Sequence, residues 1–197
     1  MQVLIEAIPC VWRVLLLAGA AVALIWFILR HERAIQPIKK VSREGIVDFE
    51  LARTPAMARW ILCLWGPQGR DAARQALHID SGVLVSYSVL LCLATSGLAS
   101  ISSQYTAEWV VTLGWWFAGL SLVAGMLDAF ENWALLRVLR SYSQDRGSGV
   151  GIRWGDTVSA WLAALTKFAI VIAATLYVLA MLAVLFLGSR AYARLSV

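Results

Sequence analysis

Four apolar runs, each long enough to cross a bilayer, limit how this chain can fold. A transmembrane helix needs about 20 predominantly apolar residues to span the roughly 30 Å of hydrocarbon. Runs of this length lie at about residues 10–29, 79–101, 109–136 and 158–187. We therefore predict an all-α integral membrane protein, in which residues 1–197 form a single four-helix transmembrane domain.

Composition favours a membrane protein over a soluble domain. Of the 197 residues, 60% are hydrophobic and 15% are charged, whereas about a quarter of the residues in a soluble domain are charged. The 17 Lys and Arg outnumber the 12 Asp and Glu, but they are spread along loops at helix ends, which indicates contact with the lipid bilayer and no nucleic-acid partner. Cys10, Cys63 and Cys92 have no metal-like spacing and are interpreted as free thiols.

The first apolar run has a second interpretation, as a cleaved signal peptide. A secretory signal usually begins with a basic segment and ends at small residues. Here Glu6 and only one base, Arg13, lie at the start, and the charged segment 30–33 follows the apolar stretch. We therefore favour a membrane span.

The distribution of Lys and Arg predicts the orientation. Nine of these residues lie between the first two spans and four between the last two, while the connection from Ser102 to Glu108 has none. The positive-inside rule places both basic connections in the cytoplasm, with the N-terminus and the C-terminus outside. Arg190 and Arg194 oppose this orientation, but two charges do not outweigh thirteen.

The first basic connection contains an amphipathic helix over about residues 55–65. Thr54 is a suitable N-cap, Pro55 suits the first helical position, and Gly66 followed by proline suits the end. Apolar residues recur at i, i+3, i+4 and i+7: Met57, Trp60, Ile61 and Leu64. The helix could lie in the cytoplasmic membrane interface, with Arg53 and Arg59 toward water, or pack on the base of the bundle. The sequence leaves both placements open.

Ionisable residues within the spans mark the place where function could reside. They are Asp80, Asp128, Glu131 and Lys167. Hydrocarbon penalises a charge strongly unless that charge faces protein or water. Asp80, Asp128 and Lys167 each lie 19 to 21 residues from the outer end of their span, which at about 1.5 Å per residue is one common depth. We expect them at the cytoplasmic edge of the hydrocarbon layer.

Small residues predict which faces of the third and fourth spans meet. Small side chains let membrane helices approach closely. On the third span such residues share one face with two polar ones: Gly114, Ala118, Ser121, Gly125, Asp128 and Asn132. The fourth span has a similar face: Ala160, Ala163, Ala164, Lys167 and Ala174. Tyr87 lies two turns after Asp80 and points the same way.

Two hypotheses for the polar residues stay open. In the first, they form a pocket that opens to the cytoplasm or the inner leaflet and binds a cation, a lipid headgroup or a small polar ligand; its residues are Asp80, Tyr87, Asp128, Glu131, Asn132 and Lys167. In the second, they are a structural clasp in which Lys167 neutralises one acid while Arg74 or Arg137 reaches toward another.

No complete catalytic, metal or nucleotide motif is present, so we assign no catalytic residue, cofactor or metal. Asp128 and Glu131 resemble half of a carboxylate metal site for Mg²⁺ or Ca²⁺, but no Glu-x-x-His partner accompanies them. His31 and His78 receive no role. Two alternative functions remain: an accessory subunit with a membrane-protein partner or a second copy of itself, and a small enzyme acting on a membrane-embedded lipid.

Several short segments resemble a group of bacterial four-span inner-membrane proteins of unknown activity. They are residues 45–52 (GIVDFELA), Trp65-Gly66, Gly69-Arg70, Asp80 with Tyr87, and residues 125–132 (GMLDAFEN). The resemblance covers about residues 45–137. It implies a location in the bacterial inner membrane and a common site for four polar residues: Asp80, Asp128, Glu131 and Asn132. It implies no activity.

Overall fold

The structure is a computed structural model that describes residues 9–103, 106–144 and 151–195, with the side chains of residues 10 and 188–195 left out. Within those ranges the regular elements are six helices: α1 (Cys10–Ala34), α2 (Gln36–Val41), α3 (Ile46–Glu50), α4 (Pro55–Ser102), α5 (Glu108–Gln144) and α6 (Trp154–Leu195). The thiols of Cys63 and Cys92 are free. The Cys10 thiol and the side chains of Arg190 and Arg194 lie outside the described part.

Four of these helices are long and apolar enough to cross a membrane: α1, α4, α5 and α6. This agrees with the four predicted spans and with a multi-pass membrane protein. The 48 residues of α4 and the 37 of α5 exceed the roughly 20 that a bilayer requires. Both helices therefore continue past the apolar runs, toward the end of the bundle that carries segments 30–78 and 137–157. We call it the basic end.

A packed apolar layer fills the basic end. α2, α3, the beginning of α4, the end of α5 and the beginning of α6 all contribute buried side chains to it. Trp65 lies at its centre, where its indole N–H donates to the Glu44 carbonyl at 2.8 Å and its ring meets the edge of Phe49. We call this apolar layer the base. It holds the short helix α3 in a fixed position at the end of the spans.

The beginning of α4 forms an arm, residues 55–65, that meets the rest of the helix at a kink. The kink is at Gly66, whose φ of 63° and ψ of −175° lie outside the helical region. One face of the arm is buried in the base: Ala58, Ile61, Leu62 and Trp65. The neighbouring face is exposed: Met57, Trp60 and Leu64. Of the predicted apolar stripe, Ile61 is therefore buried, whereas the other three residues are exposed. Contact of this exposed face with the membrane interface stays a prediction.

Within the spans, α5 packs between α4 and α6 through its small residues. All six residues of the predicted stripe on α5 are buried. A side chain at Gly114 would collide with Ala99 and Tyr177, and one at Gly125 would collide with Ser88. In contrast, none of the described side chains of α1 is buried, although Phe27 lies against Gly82 of α4. The spans thus form a three-helix core with α1 at its edge.

Candidate functional site

Lys167 on α6 is the centre of a buried ion cluster at the junction between the spans and the base. Its ammonium nitrogen lies 2.6 Å from Asp128 Oδ1, 2.8 Å from Glu131 Oε2 and 3.9 Å from Glu50 Oε2. Glu131 is fully buried and the other three side chains are nearly so. One ammonium group therefore joins α3, α5 and α6 in a region from which water is largely excluded.

Two hydrogen bonds connect α4 to the same cluster. The Tyr87 hydroxyl donates to Asp128 Oδ2 at 2.9 Å. The Asn132 amide donates to Asp80 Oδ2 at 2.8 Å, and Asn132 lies one helical turn from Asp128. The structure thus joins all six candidate residues through ion pairs and hydrogen bonds, while their role in ligand binding stays a prediction. Asp80 and Tyr87 are the two that are only half-buried.

Glu50 belongs to this cluster but was not among the residues predicted from sequence. Ile46 and Phe49 anchor α3 in the base, and this places the next side chain, Glu50, against Lys167. Burial raises the pKa of Glu50 from its ordinary value of 4.5 to about 7, in spite of the opposing attraction of Lys167. Because α3 lies in a connection of mixed polarity, hydropathy could not show that this acid is buried. The only signal was its position within the segment 45–52.

The arginines expected to neutralise the surplus acids are paired elsewhere, and this part of the clasp hypothesis is wrong. Arg74 pairs with Asp71 at 3.2 Å on the surface. Arg137 pairs with Asp156 at 3.5 Å and stacks on the Trp133 ring. Each arginine thus has an acid closer to it than the acids of the cluster: Asp71 lies three residues from Arg74 in the sequence, and Asp156 contacts Arg137 in space. Among the described residues, the ion pairs of the cluster all involve Lys167.

Two buried acceptor atoms in the cluster have no hydrogen-bond donor within the described part of the chain: Glu131 Oε1 and Asn132 Oδ1. The carboxyl groups of Glu50 and Glu131 both face Lys167, at 3.9 Å and 2.8 Å from its ammonium nitrogen. Two acids that share one cation favour a proton on one of the two groups. Buried acceptors without a hydrogen bond destabilise the folded state. Glu131 Oε1 and Asn132 Oδ1 would therefore be stabilised by a proton or by another hydrogen-bond donor.

The short helix α3 covers the cluster at the basic end, while an opening of the cluster to the cytoplasm or the inner leaflet stays a prediction. The four central side chains of the cluster are buried. Among the residues that the structure describes, no group of three or more His, Cys, Asp and Glu could hold a metal ion. His31 lies within electrostatic reach of Asp80, the half-buried acid next to α1. Asp80 is therefore the acid of the cluster that water or a ligand can reach most easily.

Comparison with known proteins adds no further assignment. No protein-family model, curated protein or solved structure matches this chain. The four long apolar helices agree with the architecture of the bacterial group that segments 45–137 resemble, while membership of that group stays a prediction. The buried cluster around Lys167 is thus the feature of this multi-pass membrane protein that bears most directly on its function.

Proposed function

We propose that this membrane protein binds a cation at the Lys167 cluster, and that protons occupy the cluster when the cation is absent. The observation that carries the proposal is Glu131, a fully buried carboxylate whose Oε2 contacts Lys167 at 2.8 Å while its Oε1 has no donor among the residues that the structure describes. A carboxylate in this position is stable only when something positive or protonated faces it.

The charge balance supports the same conclusion. Four acids gather around one lysine: Glu50, Asp80, Asp128 and Glu131. If all were ionised, the cluster would carry three uncompensated negative charges in a region of low polarity. Like charges at such distances favour protonation or the binding of a counter-ion. A clasp alone would need no more acids than Lys167 can neutralise.

The free acceptors indicate the kind of cation. Glu131 Oε1 and Asn132 Oδ1 are oxygen atoms of the type that accept hydrogen bonds from ammonium groups. Lys167 shows that an ammonium group fits between Asp128 and Glu131. We infer that the ligand is small and hydrophilic, and that it reaches the cluster past Asp80 or after movement of α3.

Orientation and location are parts of the same proposal. The basic end carries thirteen of the Lys and Arg residues, and the positive-inside rule places it in the cytoplasm. The ligand would then be exchanged with the cytoplasm of a bacterial cell whose inner membrane holds the protein. Both termini would lie outside.

Thermal unfolding of the protein purified in detergent tests the proposal. The probes are K⁺, Mg²⁺ and methylammonium, each added as its chloride at constant ionic strength. We expect at least one of them to raise the Tm of the wild type, because a ligand that binds only the folded state stabilises it. Glu131→Gln should abolish this increase. Glu108→Gln removes an exposed acid at the start of α5 and should keep it.

Two results would contradict cation binding. One is a wild-type Tm that none of the three probes changes. The other is an equal response of the wild type and Glu131→Gln, since the cation would then bind away from the cluster. An accessory subunit is the alternative favoured by the unburied helix α1, and a second protein retained through purification in a mild detergent would support it.

A further inference from the structure

A groove separates α1 from α4 on the basic-end side of their contact. The helices touch where Phe27 lies against Gly82. Toward the basic end they leave a volume of about 500 Å³ that is lined by Phe27, Asp71, Arg74, Gln75, His78 and Ile79. The groove lies outside the Lys167 cluster and shares no residue with it.

The lining of the groove changes from apolar to polar along its length. Phe27 and Ile79 form the apolar part, next to the spans. Asp71, Arg74, Gln75 and His78 recur at i, i+3, i+4 and i+7 and therefore share one face of α4. Ile79 begins the apolar run of this span, so Arg74, Gln75 and His78 lie within about 8 Å of the hydrocarbon edge, which is headgroup depth.

The polar part presents hydrogen-bond donors that suit a phosphate group. The guanidinium of Arg74 and the amide of Gln75 are donors, and His78 supplies ring nitrogens. Arg74 already contacts Asp71 at 3.2 Å, but both side chains are exposed. An exposed pair of this kind contributes little, so the guanidinium can turn its remaining N–H groups to a phosphate, for which its geometry is well suited.

We propose that this groove binds a phospholipid, with the headgroup phosphate at Arg74, Gln75 and His78 and an acyl chain along Phe27 and Ile79. A free phosphate ion would use the same donors but would leave the apolar part empty. The apolar part adjoins the first residues of the predicted span, at the depth where acyl chains of a bilayer begin, and this favours the lipid. The site is independent of cation binding at Lys167.

Lipid binding can be measured by native mass spectrometry and by Tm on the detergent-purified protein. The probes are phosphatidylglycerol, diacylglycerol, which lacks the phosphate, and inorganic phosphate. We expect phosphatidylglycerol alone to bind and to raise the Tm. Arg74→Ala and His78→Ala should each weaken its affinity about tenfold, the usual effect of losing one charge-assisted hydrogen bond.

Arg140→Ala is the matched control, because it removes an exposed arginine from the basic end of α5, away from the groove. It should bind phosphatidylglycerol like the wild type. Equal weakening by Arg74→Ala and Arg140→Ala would overturn the proposal in favour of general attraction to basic charge. Binding of diacylglycerol as tightly as phosphatidylglycerol would overturn the phosphate contact, and an equal effect of inorganic phosphate would overturn the lipid. Loss of the cation response in Glu131→Gln has no bearing on these outcomes.

Discussion

Lys167 matters for the stability of the fold because it is buried. The same side chain facing water would form only weak ion pairs. Its ammonium contacts two carboxylates of α5, at 2.6 Å for Asp128 and 2.8 Å for Glu131. Removing one partner of a buried pair leaves the other partner uncompensated, which costs more than the pair contributes. The tightly bonded Asp128 and the partly unsatisfied Glu131 should therefore respond differently to substitution.

Lys167→Met keeps an unbranched side chain of similar length and removes the charge. We expect a loss of about 3 to 5 kcal/mol in the free energy of unfolding, since Asp128 and Glu131 lose their cation. Lys39→Met is the control: it removes an exposed lysine paired with Glu32 at 2.6 Å, and should cost about 1 kcal/mol or less. Denaturant unfolding in detergent measures both. A Lys167→Met protein as stable as Lys39→Met would contradict this account of the cluster.

The raised pKa of Glu50 predicts how the stability of the protein changes with pH. This pKa rises from 4.5 in the unfolded chain to about 7 in the folded protein, so the folded state binds this proton more tightly. The resulting stabilisation is complete below pH 4.5 and is lost as the pH rises through about 7. Glu50→Gln cannot titrate, and its Tm should fall less over this interval than that of the wild type.

Glu44→Gln is the control for the pH series. The Ser42 hydroxyl donates to Glu44 and lowers its pKa, so this group contributes stability that is lost as the pH falls. Glu44→Gln should therefore leave the decline toward pH 7 in place. If Glu50→Gln declined as steeply as the wild type between pH 4.5 and 7, Glu50 would not be the group responsible.

Counting residues along the spans was enough to place Asp80, Asp128 and Lys167 at one depth, because helical rise is regular. Glu50 could not be found in this way. Its burial depends on how α3 packs in the base, and tertiary packing of a short loop helix leaves no periodic signal in five residues. The pairing of Arg74 and Arg137 with nearby acids was missed for a related reason. Sequence shows which charges exist but not which partner each one selects.

At the scale of single elements, α4 is the helix whose sequence and structure differ most. The sequence predicted a short amphipathic helix that ends at Gly66 and a separate span. The structure joins the two at a kink, because Gly66 adopts a positive φ of 63° and the helical hydrogen-bonding resumes directly after it. The amphipathic pattern predicted the helix, but it could not show that Ile61 alone of the predicted stripe would be buried.

Gly66→Ala tests the kink through the backbone alone, since a Cβ at Gly66 would meet nothing within 4 Å. An alanine at positive φ is strained, so we expect a loss of about 1 kcal/mol or more. Gly97→Ala is the matched control: its Cβ would also meet nothing within 4 Å, but the position is helical, and alanine there should stabilise by up to about 1 kcal/mol. Opposite signs in thermal unfolding would support the kink. Stabilisation by both substitutions would exclude it.

For the whole molecule, hydropathy predicted the four spans, and the small residues predicted the packing faces of the third and the fourth. Packing of residues 55–65 on the base of the bundle was one of two placements left open, but the contributions of the other segments to the base were not predicted. The buried residues of the base come from several segments, such as Ile38, Phe49, Trp65 and Leu139, each of which is too short to stand out in a hydropathy profile. The peripheral position of α1 was also not predictable, because an apolar helix surrounded by lipid and one surrounded by protein have similar compositions.

The orientation of the whole molecule can be tested by cysteine labelling in intact cells. In a protein lacking Cys10, Cys63 and Cys92, single cysteines would replace Gln2, which the proposed orientation puts outside, or Arg140 at the basic end. We expect an impermeant maleimide to label position 2 at once and position 140 only after permeabilisation. The reverse pattern would place the basic end outside and contradict the proposed exchange of ligand with the cytoplasm.

Infrared absorption by protonated carboxyl groups tests most directly whether the surplus acids of the cluster hold protons in place of a cation. The wild type, Glu131→Gln and the Glu108→Gln control would be compared at pH 7 in buffer free of the probe cations. The account predicts a protonated-carboxyl band in the wild type and in Glu108→Gln, with a smaller band in Glu131→Gln. It also predicts that a cation which raises the Tm of the wild type diminishes the band. A wild type without protonated carboxyl groups, or a band that neither Glu131→Gln nor the cation changes, would contradict it.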